Sequence, residues 1–322
     1  METKQNQYEW PAIGQDKVSA YLEKTLLGGQ PAQTYIFSGP RDLGKSTLAL
    51  AFARNLWRLD GRTSPQGGFE SDLYILEKEE GKKNISVEQA REFISRLSLS
   101  SFLNSYKIGI IKEAESLSLE AQNALLKTLE EPKEKVIIIL LAEDAALLMQ
   151  TIVSRSQTLY FHPVGPDSVY DYLLSTLELK RSAAKDLAAA SLGRPLMARR
   201  WAENPEDFKE QMELVHKLDT FLDSPLEERL AMVSAAGNDN SLSVETVFSW
   251  IEVFESLWRD SLLTAVGQDD RRQYPSVSPE RGQEPEASLR ALAALKQLER
   301  AREYLRGNVT PKNVLESLAL YF

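Results

Sequence analysis

The fold is decided by the stretch Thr34-Tyr35-Ile36-Phe37-Ser38-Gly39-Pro40-Arg41-Asp42-Leu43-Gly44-Lys45-Ser46-Thr47. Its part from Gly39 to Ser46 fits G-x-x-x-x-G-K-S/T, the pattern of a phosphate-binding loop. The part from Thr34 to Phe37 is short and favours extended structure, as a buried parallel strand does. After the loop, apolar residues recur at helical spacing. They are Leu48, Ala49, Phe52, Ala53 and Leu56. Strand, loop and helix therefore follow in the order that this motif requires.

The loop residues predict a nucleotide site. Gly39 and Gly44 let the backbone turn so that its N–H groups point at phosphate oxygens. The N-terminus of the next helix adds partial positive charge. Lys45 is expected to reach the outer phosphates, and the Ser46 hydroxyl to hold Mg²⁺. The alternative is an ordinary glycine turn. The residues assigned to the nucleotide are Gly39, Pro40, Arg41, Asp42, Leu43, Gly44, Lys45, Ser46 and Thr47.

The composition is that of a globular protein with two or three domains. The chain has 322 residues, of which 43% are hydrophobic and 26% are charged. Its longest apolar run, Val136 to Ala142, is too short to span a membrane. The net charge of −9 differs from the basic excess of proteins that bind DNA alone. Any work on DNA is therefore expected within an assembly or through a local patch.

The chain contains no cysteine, which excludes disulfides and thiolate metal sites. With His162 and His216 as its two histidines, a histidine-rich zinc centre is not expected. The N-terminus lacks the apolar core of a secretion signal. These features together predict a cytoplasmic location.

Residues 1–163 are predicted to form a nucleotide-binding domain of the α/β class. Strand-like and helix-like segments alternate there, which indicates parallel β-α units with helices on both faces of a doubly wound sheet. The strand predicted at Val136 to Leu141 is nearly all apolar and is therefore placed at the centre of the sheet. Ser86 and Gln89 form a capping box that opens one of the helices.

Strand signals vanish beyond residue 163. Residues 164–204 are predicted to form a small helical lid, and residues 205–322 an all-helical C-terminal domain. Within the latter, residues 267–287 are rich in Pro, Gln, Arg and Glu. That composition predicts a flexible loop.

Four segments resemble the AAA+ clamp-loader family of bacterial DNA polymerase III. The most specific is the run of ten residues that begins at Asn123. The resemblance covers the whole chain, densely up to Phe161 and thinly between Pro205 and Ala287. The segments are Ile13-Gly14-Gln15, Tyr35-Ile36-Phe37-Ser38-Gly39-Pro40, Asn123-Ala124-Leu125-Leu126-Lys127-Thr128-Leu129-Glu130-Glu131-Pro132 and Ser154-Arg155-Ser156.

The resemblance implies an ATP-binding AAA+ core, a helical lid and a helical collar domain. It also implies partners, because five such subunits form an open ring through their collars. The partners are the gamma/tau and delta subunits of a hetero-pentamer. The assembled ring opens a sliding clamp and places it around primed DNA during replication.

The acidic residues that ATP hydrolysis needs are altered. In the family's motor subunits a metal-binding Asp stands where this chain has Lys112, and Glu113 matches the second acid. Lysine cannot ligate Mg²⁺, and Glu113 points half a pleat away. The resemblance therefore implies nucleotide binding with weak or no hydrolysis. A solvated carboxylate at a strand end is the alternative interpretation of Glu113.

Arg155 matches an arginine finger that the family projects into a neighbouring subunit's ATP site. A guanidinium suits that role because it is planar, always charged and pairs with phosphate oxygens. The alternative is an internal salt bridge. The family's usual cysteine after this arginine is Ser156 here, which does not change the charged group.

Other parts of the family's site are altered too. Its sensor threonine falls near Glu143-Asp144, neither of which is Thr, and the lid arginine aligns near Leu196, with Arg194 displaced by two residues. Many members hold zinc on four cysteines, whereas the matching loop at residues 58–71 has none. No zinc is expected here.

Two hypotheses remain from the sequence. In the first, the chain is a stationary subunit that contributes Arg155 to a neighbour. In the second, it is a motor ATPase of the gamma/tau type in which Glu113 rescues the metal site. An unrelated nucleotide kinase is a third interpretation, but no acceptor site is indicated.

Overall fold

The computed structural model describes residues 8–60, 72–99, 105–131, 133–238, 242–275, 277 and 279–322. Most of the loop at residues 58–71 and Pro132 of the ten-residue run lie outside this description. The described residues form two compact units. The core unit comprises Met1–Glu178 and Gly193–Met197, and the helical unit comprises Leu179–Leu192 and Ala198–Phe322. The division of the chain into three parts at residues 163 and 204 stays a prediction.

A five-stranded parallel sheet forms the centre of the core unit. Its strands are β1 (Thr34–Ser38), β2 (Leu73–Leu76), β3 (Lys107–Ile111), β4 (Val136–Ala142) and β5 (Gln157–Tyr160). The spatial order is β2-β3-β4-β1-β5, so the predicted central position of β4 is confirmed. Every residue of β4 is buried, which explains its unbroken apolar sequence. Because all strands are parallel, the loops after β1, β3 and β4 meet at one edge.

Helices cover both faces of this sheet, as the doubly wound fold class predicts. On one face the ring of Phe52 meets the ring of Tyr35 on β1 edge-on, with centroids 5.3 Å apart. On the other face the apolar core includes Ile36 of β1 together with Phe93 and Leu125 from two helices. The helices of the core unit are α1 (Asp16–Leu27), α2 (Lys45–Leu59), α3 (Val87–Ser98), α4 (Leu119–Glu130), α5 (Gln150–Val153) and α6 (Pro166–Thr176).

The capping box that the sequence predicts before α3 is confirmed. The Ser86 hydroxyl accepts a hydrogen bond from the backbone N–H of Gln89, and the Gln89 side chain accepts one from the Ser86 N–H. Both donors lie in the first turn, where a helix has no internal partner for its N–H groups. The start of α3 is therefore determined locally.

The described residues of the helical unit contain no strand. The long α11 (Val244–Ala265) buries Val247, Ile251 and Phe254 completely. α8 (Pro195–Glu203) was not identified from the sequence, and its first residues belong to the core unit. The helices are α7 (Arg181–Ala190), α8 (Pro195–Glu203), α9 (Pro205–Asp223), α10 (Leu226–Asn238), α11 (Val244–Ala265), α12 (Ala287–Arg306) and α13 (Pro311–Tyr321).

The segment 267–287 packs against α11, whereas its composition predicts a flexible loop. Tyr274 and Val277 are buried, and two short 3-10 turns lie on either side of them. The carboxylate of Asp260 accepts hydrogen bonds from the backbone N–H groups of Gln273 and Tyr274, at 2.8 and 2.7 Å. The amino-acid composition of the segment does not indicate these hydrogen bonds, because their acceptor, Asp260, lies outside the segment.

Candidate nucleotide site

The phosphate loop connects β1 to α2 and has the backbone geometry that its two glycines permit. Gly39 and Gly44 have φ values of +152° and +89°. A Cβ atom at Gly44 would lie 2.2 Å from Cδ1 of Ile13. One at Gly39 would lie 2.4 Å from the carbonyl oxygen of Phe161. Both positions therefore exclude a side chain, and the loop keeps the bare backbone that a phosphate cradle requires.

Lys45 is the first residue of α2, and its side chain folds back over the loop. Its Nζ donates hydrogen bonds to the carbonyl oxygens of Gly39 and Pro40, the latter at 2.7 Å. Burial lowers the pKa of Lys45, while the nearby carboxylates of Glu143 and Glu115 act in the opposite direction. The ammonium group is thus held where the phosphates of a nucleotide would lie.

A cavity of about 250 Å³ opens beside the loop. The phosphate loop lines one side of it, residues after β3 and β4 line another, and Leu196 completes the wall. Ser46 faces this cavity together with Lys45. The cradle of two glycines, the half-buried lysine and the adjacent space fit the phosphates of a nucleotide and its Mg²⁺.

The residues that follow β3 form ion pairs with residues that follow β2. Lys112 Nζ lies 2.8 Å from Oε2 of Glu77. Glu113 adopts a left-handed backbone conformation with φ of +47°, and its Oε2 lies 3.6 Å from Nζ of Lys78. Both Lys112 and Glu113 line the cavity. Each nevertheless has a partner on the chain that follows β2.

Glu115 is a residue of this site that sequence reasoning missed. It lies on the 3-10 turn Ala114–Ser116, which follows β3 and lines the cavity. Its Oε1 accepts a hydrogen bond from the backbone N–H of Glu143 at 3.3 Å. Burial raises the pKa of Glu115, with the nearby Glu143 carboxylate acting in the same direction. The available signal was a second carboxylate four residues after β3, but the sequence offers no reason to prefer it over Glu113.

The positions that align with the family's sensors present other chemistry. Glu143 faces the cavity and forms an ion pair with Arg41 of the phosphate loop. Leu196 also faces it, and its backbone N–H donates to the carbonyl oxygen of Asp42 at 3.1 Å. The resemblance therefore places a carboxylate and an alkyl group near the positions of the sensor threonine and the lid arginine of motor subunits, and this alignment stays a prediction.

Arg155 follows α5 and points to a residue of its own chain. Its Nη2 lies 2.8 Å from Oε1 of Glu130, and its Nη1 donates to the carbonyl oxygen of Thr151 at 3.0 Å. The side chains of Arg155 and Glu130 are 37% and 49% exposed. An ion pair this exposed contributes about 0–1 kcal/mol. The guanidinium is thus paired internally but accessible from solvent.

Residues 14–165 match a family model described as DNA polymerase III, delta subunit. A protein of Pseudomonas aeruginosa named DNA polymerase III subunit delta' is 30% identical over 244 residues. That alignment covers 70% of this chain and 71% of the relative. The chain belongs to the delta-prime family of DNA polymerase III clamp-loader subunits. The AAA+ fold class and the family resemblance inferred from the sequence are confirmed.

The chain is also similar to other subunits of DNA polymerase III. The tau subunit of Bacillus subtilis is also 30% identical, over 171 residues that cover 49% of this chain and 29% of that protein. Percentage identity does not separate the two kinds of subunit, and the Pseudomonas aeruginosa alignment extends over more of this chain than the alignment with Bacillus subtilis tau, 70% against 49%. A solved gamma subunit-related protein of Thermotoga maritima covers 95% of this chain and 97% of its own, with 20% identity and a TM-score of 0.47. That likeness adds no argument about function.

Membrane-spanning helices and clusters of metal-binding side chains were looked for among the described residues, and neither is present there. No helix there is long and apolar enough to cross a membrane. No group of three or more His, Cys, Asp or Glu side chains there is arranged to hold a metal ion.

Proposed function

We propose that this chain is the stationary, delta-prime-like subunit of a DNA polymerase III clamp loader. It binds ATP with weak or no hydrolysis and supplies Arg155 to a neighbouring subunit's nucleotide site. It acts in a hetero-pentamer with gamma/tau and delta subunits, which loads the sliding clamp on primed DNA. The observation that carries this proposal is an intact phosphate loop facing Lys112, Glu143 and Leu196.

The loop residues would bind and orient the nucleotide. The backbone N–H groups between Gly39 and Gly44 would hold phosphate oxygens, and Lys45 would exchange its carbonyl partners for the outer phosphates. Ser46 would present its hydroxyl to Mg²⁺. Bound Mg²⁺ neutralises charge on the phosphates. These contacts explain binding without requiring hydrolysis.

Hydrolysis is expected to be weak because the residues after β3 and β4 do not stabilise the transferring phosphoryl group. The ammonium of Lys112 opposes a cation at that position and pairs with Glu77. The carboxylate of Glu143 and the alkyl group of Leu196 offer no donor to a phosphate. Phosphoryl transfer depends on positioning and charge stabilisation, so their loss slows the reaction.

A motor ATPase of the gamma/tau type is the second candidate. Glu113 lines the same cavity as Lys45 and Ser46, which is the observation in its favour. In this alternative, the Glu113 carboxylate leaves Lys78 and takes over the function of the missing acid. The two candidates differ in the rate of ATP hydrolysis by the isolated chain.

Reconstitution tests the role in the assembly. The full chain, mixed with gamma/tau and delta subunits, is expected to form one complex that loads a sliding clamp onto primed DNA. Omitting the chain is expected to abolish loading, because the ring then lacks one of its five subunits. Mass measurement of the complex and clamp retention on circular primed DNA follow the two properties. Equal loading without the chain would contradict the proposal.

The isolated chain is expected to hydrolyse ATP far more slowly than about one turnover per second, the lower end of ordinary enzyme rates. It is nevertheless expected to bind ATP, and Lys45→Ala should abolish that binding because the outer phosphates lose their cation. Steady-state phosphate release and nucleotide titration measure the two properties. A rate of one per second or more that Lys45→Ala removes would favour the motor candidate.

A further inference from the structure

We propose that Glu115 supplies the carboxylate that faces Mg²⁺ in the nucleotide complex, in place of the acid that Lys112 has replaced. This inference rests on the proposed nucleotide binding at the phosphate loop. Neither the phosphate-loop motif nor the family resemblance assigns Glu115 to the metal ion.

Glu115 and residues of the phosphate loop line the same cavity. The 3-10 turn Ala114–Ser116 places this side chain in the cavity that Lys45 and Ser46 also line. Burial is the largest influence on the pKa of each group, and the charges of Glu115 and Lys45 act against it, raising the pKa of Lys45 and lowering that of Glu115. The carboxylate is therefore close to the lysine that would contact the outer phosphates.

The two carboxylate oxygens of Glu115 differ in their hydrogen bonding. Oε1 accepts from the Glu143 N–H, but Oε2 is shielded from solvent and has no hydrogen-bond partner among the described residues. A buried carboxylate oxygen without a partner is costly. Lys45 does not provide one, because its Nζ donates to the carbonyl oxygens of Gly39 and Pro40. A cation in the cavity would satisfy this oxygen.

The two other glutamates that line the cavity already have cationic partners. Glu143 pairs with Arg41, and Glu113 lies near Nζ of Lys78. Mg²⁺ in nucleotide sites takes one or two carboxylates in addition to phosphates and water. Among these three glutamates, Glu115 is the one whose oxygen would gain a partner without breaking an ion pair.

A structural role is the alternative, since Glu115 anchors the backbone after β4 through its bond to the Glu143 N–H. The substitution Glu115→Gln separates the two roles. It keeps a carbonyl oxygen that can accept this hydrogen bond and removes the negative charge. A purely structural residue tolerates that change, whereas a residue that faces Mg²⁺ does not.

The test is a titration of Mg²⁺ into the full-length chain with a fluorescent ATP analogue, compared with the same binding in EDTA. In Glu115→Gln, the apparent Mg²⁺ affinity of the nucleotide complex is expected to fall by about tenfold or more. Affinity for the analogue in EDTA is expected to be unchanged or tighter, because a negative charge near the phosphates is gone. Electron paramagnetic resonance of Mn²⁺ in place of Mg²⁺ gives a second measure of metal binding.

Glu120→Gln, at an exposed position of α4 that does not line the cavity, is the matched control and is expected to retain the wild-type Mg²⁺ affinity. Wild-type Mg²⁺ affinity in Glu115→Gln would overturn the inference and leave the nucleotide site intact. Equal weakening of nucleotide binding with Mg²⁺ and in EDTA would also overturn it, in favour of the structural role. A wild-type chain that binds no nucleotide would overturn the proposed nucleotide site as well.

Discussion

Arg155→Ala is expected to slow ATP hydrolysis at the neighbouring subunit's site by about 10³-fold or more, the range for an arginine finger supplied in trans. The reason is that the guanidinium stabilises charge on the transferring phosphoryl group, and no other group replaces it. The isolated chain should keep its own nucleotide affinity, since Arg155 pairs with Glu130 and is not among the residues that line the described cavity. Single-turnover hydrolysis by the reconstituted complex measures the effect, against the background of its other sites.

Two variants serve as controls for this prediction. Arg155→Lys keeps the positive charge but loses the planar fork, so an intermediate rate is expected. Glu130→Gln weakens the internal ion pair and leaves the guanidinium in place, so it should not slow hydrolysis. An unchanged rate in Arg155→Ala would mean that Arg155 is not a finger. Loss of nucleotide affinity in the isolated chain would assign it to its own site instead.

Asp260→Ala is expected to lower the free energy of unfolding of the helical unit by about 2–6 kcal/mol. Asp260 is 3% exposed and accepts hydrogen bonds from the Gln273 and Tyr274 N–H groups. Its removal leaves two buried donors without a partner, and each costs about 1–3 kcal/mol. Denaturant unfolding of the full chain measures the loss. Hydrogen exchange in peptides from residues 267–287 should accelerate in the same variant.

Asp269→Ala is the matched control for this effect. Asp269 lies in the same part of the chain but is exposed, and its side-chain carboxylate accepts a hydrogen bond from the Thr264 hydroxyl at 2.7 Å. Its removal should change stability by about 0.5 kcal/mol or less, as is usual at the surface. Similar losses in both aspartate variants would show that the Asp260 hydrogen bonds do not hold this segment against α11.

The parts of the fold that the sequence predicted depend on local patterns. The unbroken apolar run of β4 indicated a central buried strand, and the Ser86 capping box marked the start of α3. The phosphate loop was identified because its glycines, lysine and serine lie within eight consecutive residues. In each case the residues that determine the structure are close together in the chain.

The parts that it did not predict depend on contacts between distant residues. The segment 267–287 has the composition of a flexible loop, but Asp260 fixes its backbone from another element. Glu115 was overlooked because a strand pattern says nothing about the 3-10 turn that follows it. The partner of Arg155, Glu130, lies 25 residues earlier in the chain, at the end of α4.

The sequence by itself determined the family, the parallel sheet and the loop that would hold phosphates, because short motifs and apolar periodicity encode them locally. The tertiary structure alone decided which carboxylate has an oxygen without a partner beside Lys45, and which residue pairs with Arg155. The physical reason is that the pairing of a charged group depends on distance and burial in three dimensions. Spacing along the chain contains neither quantity.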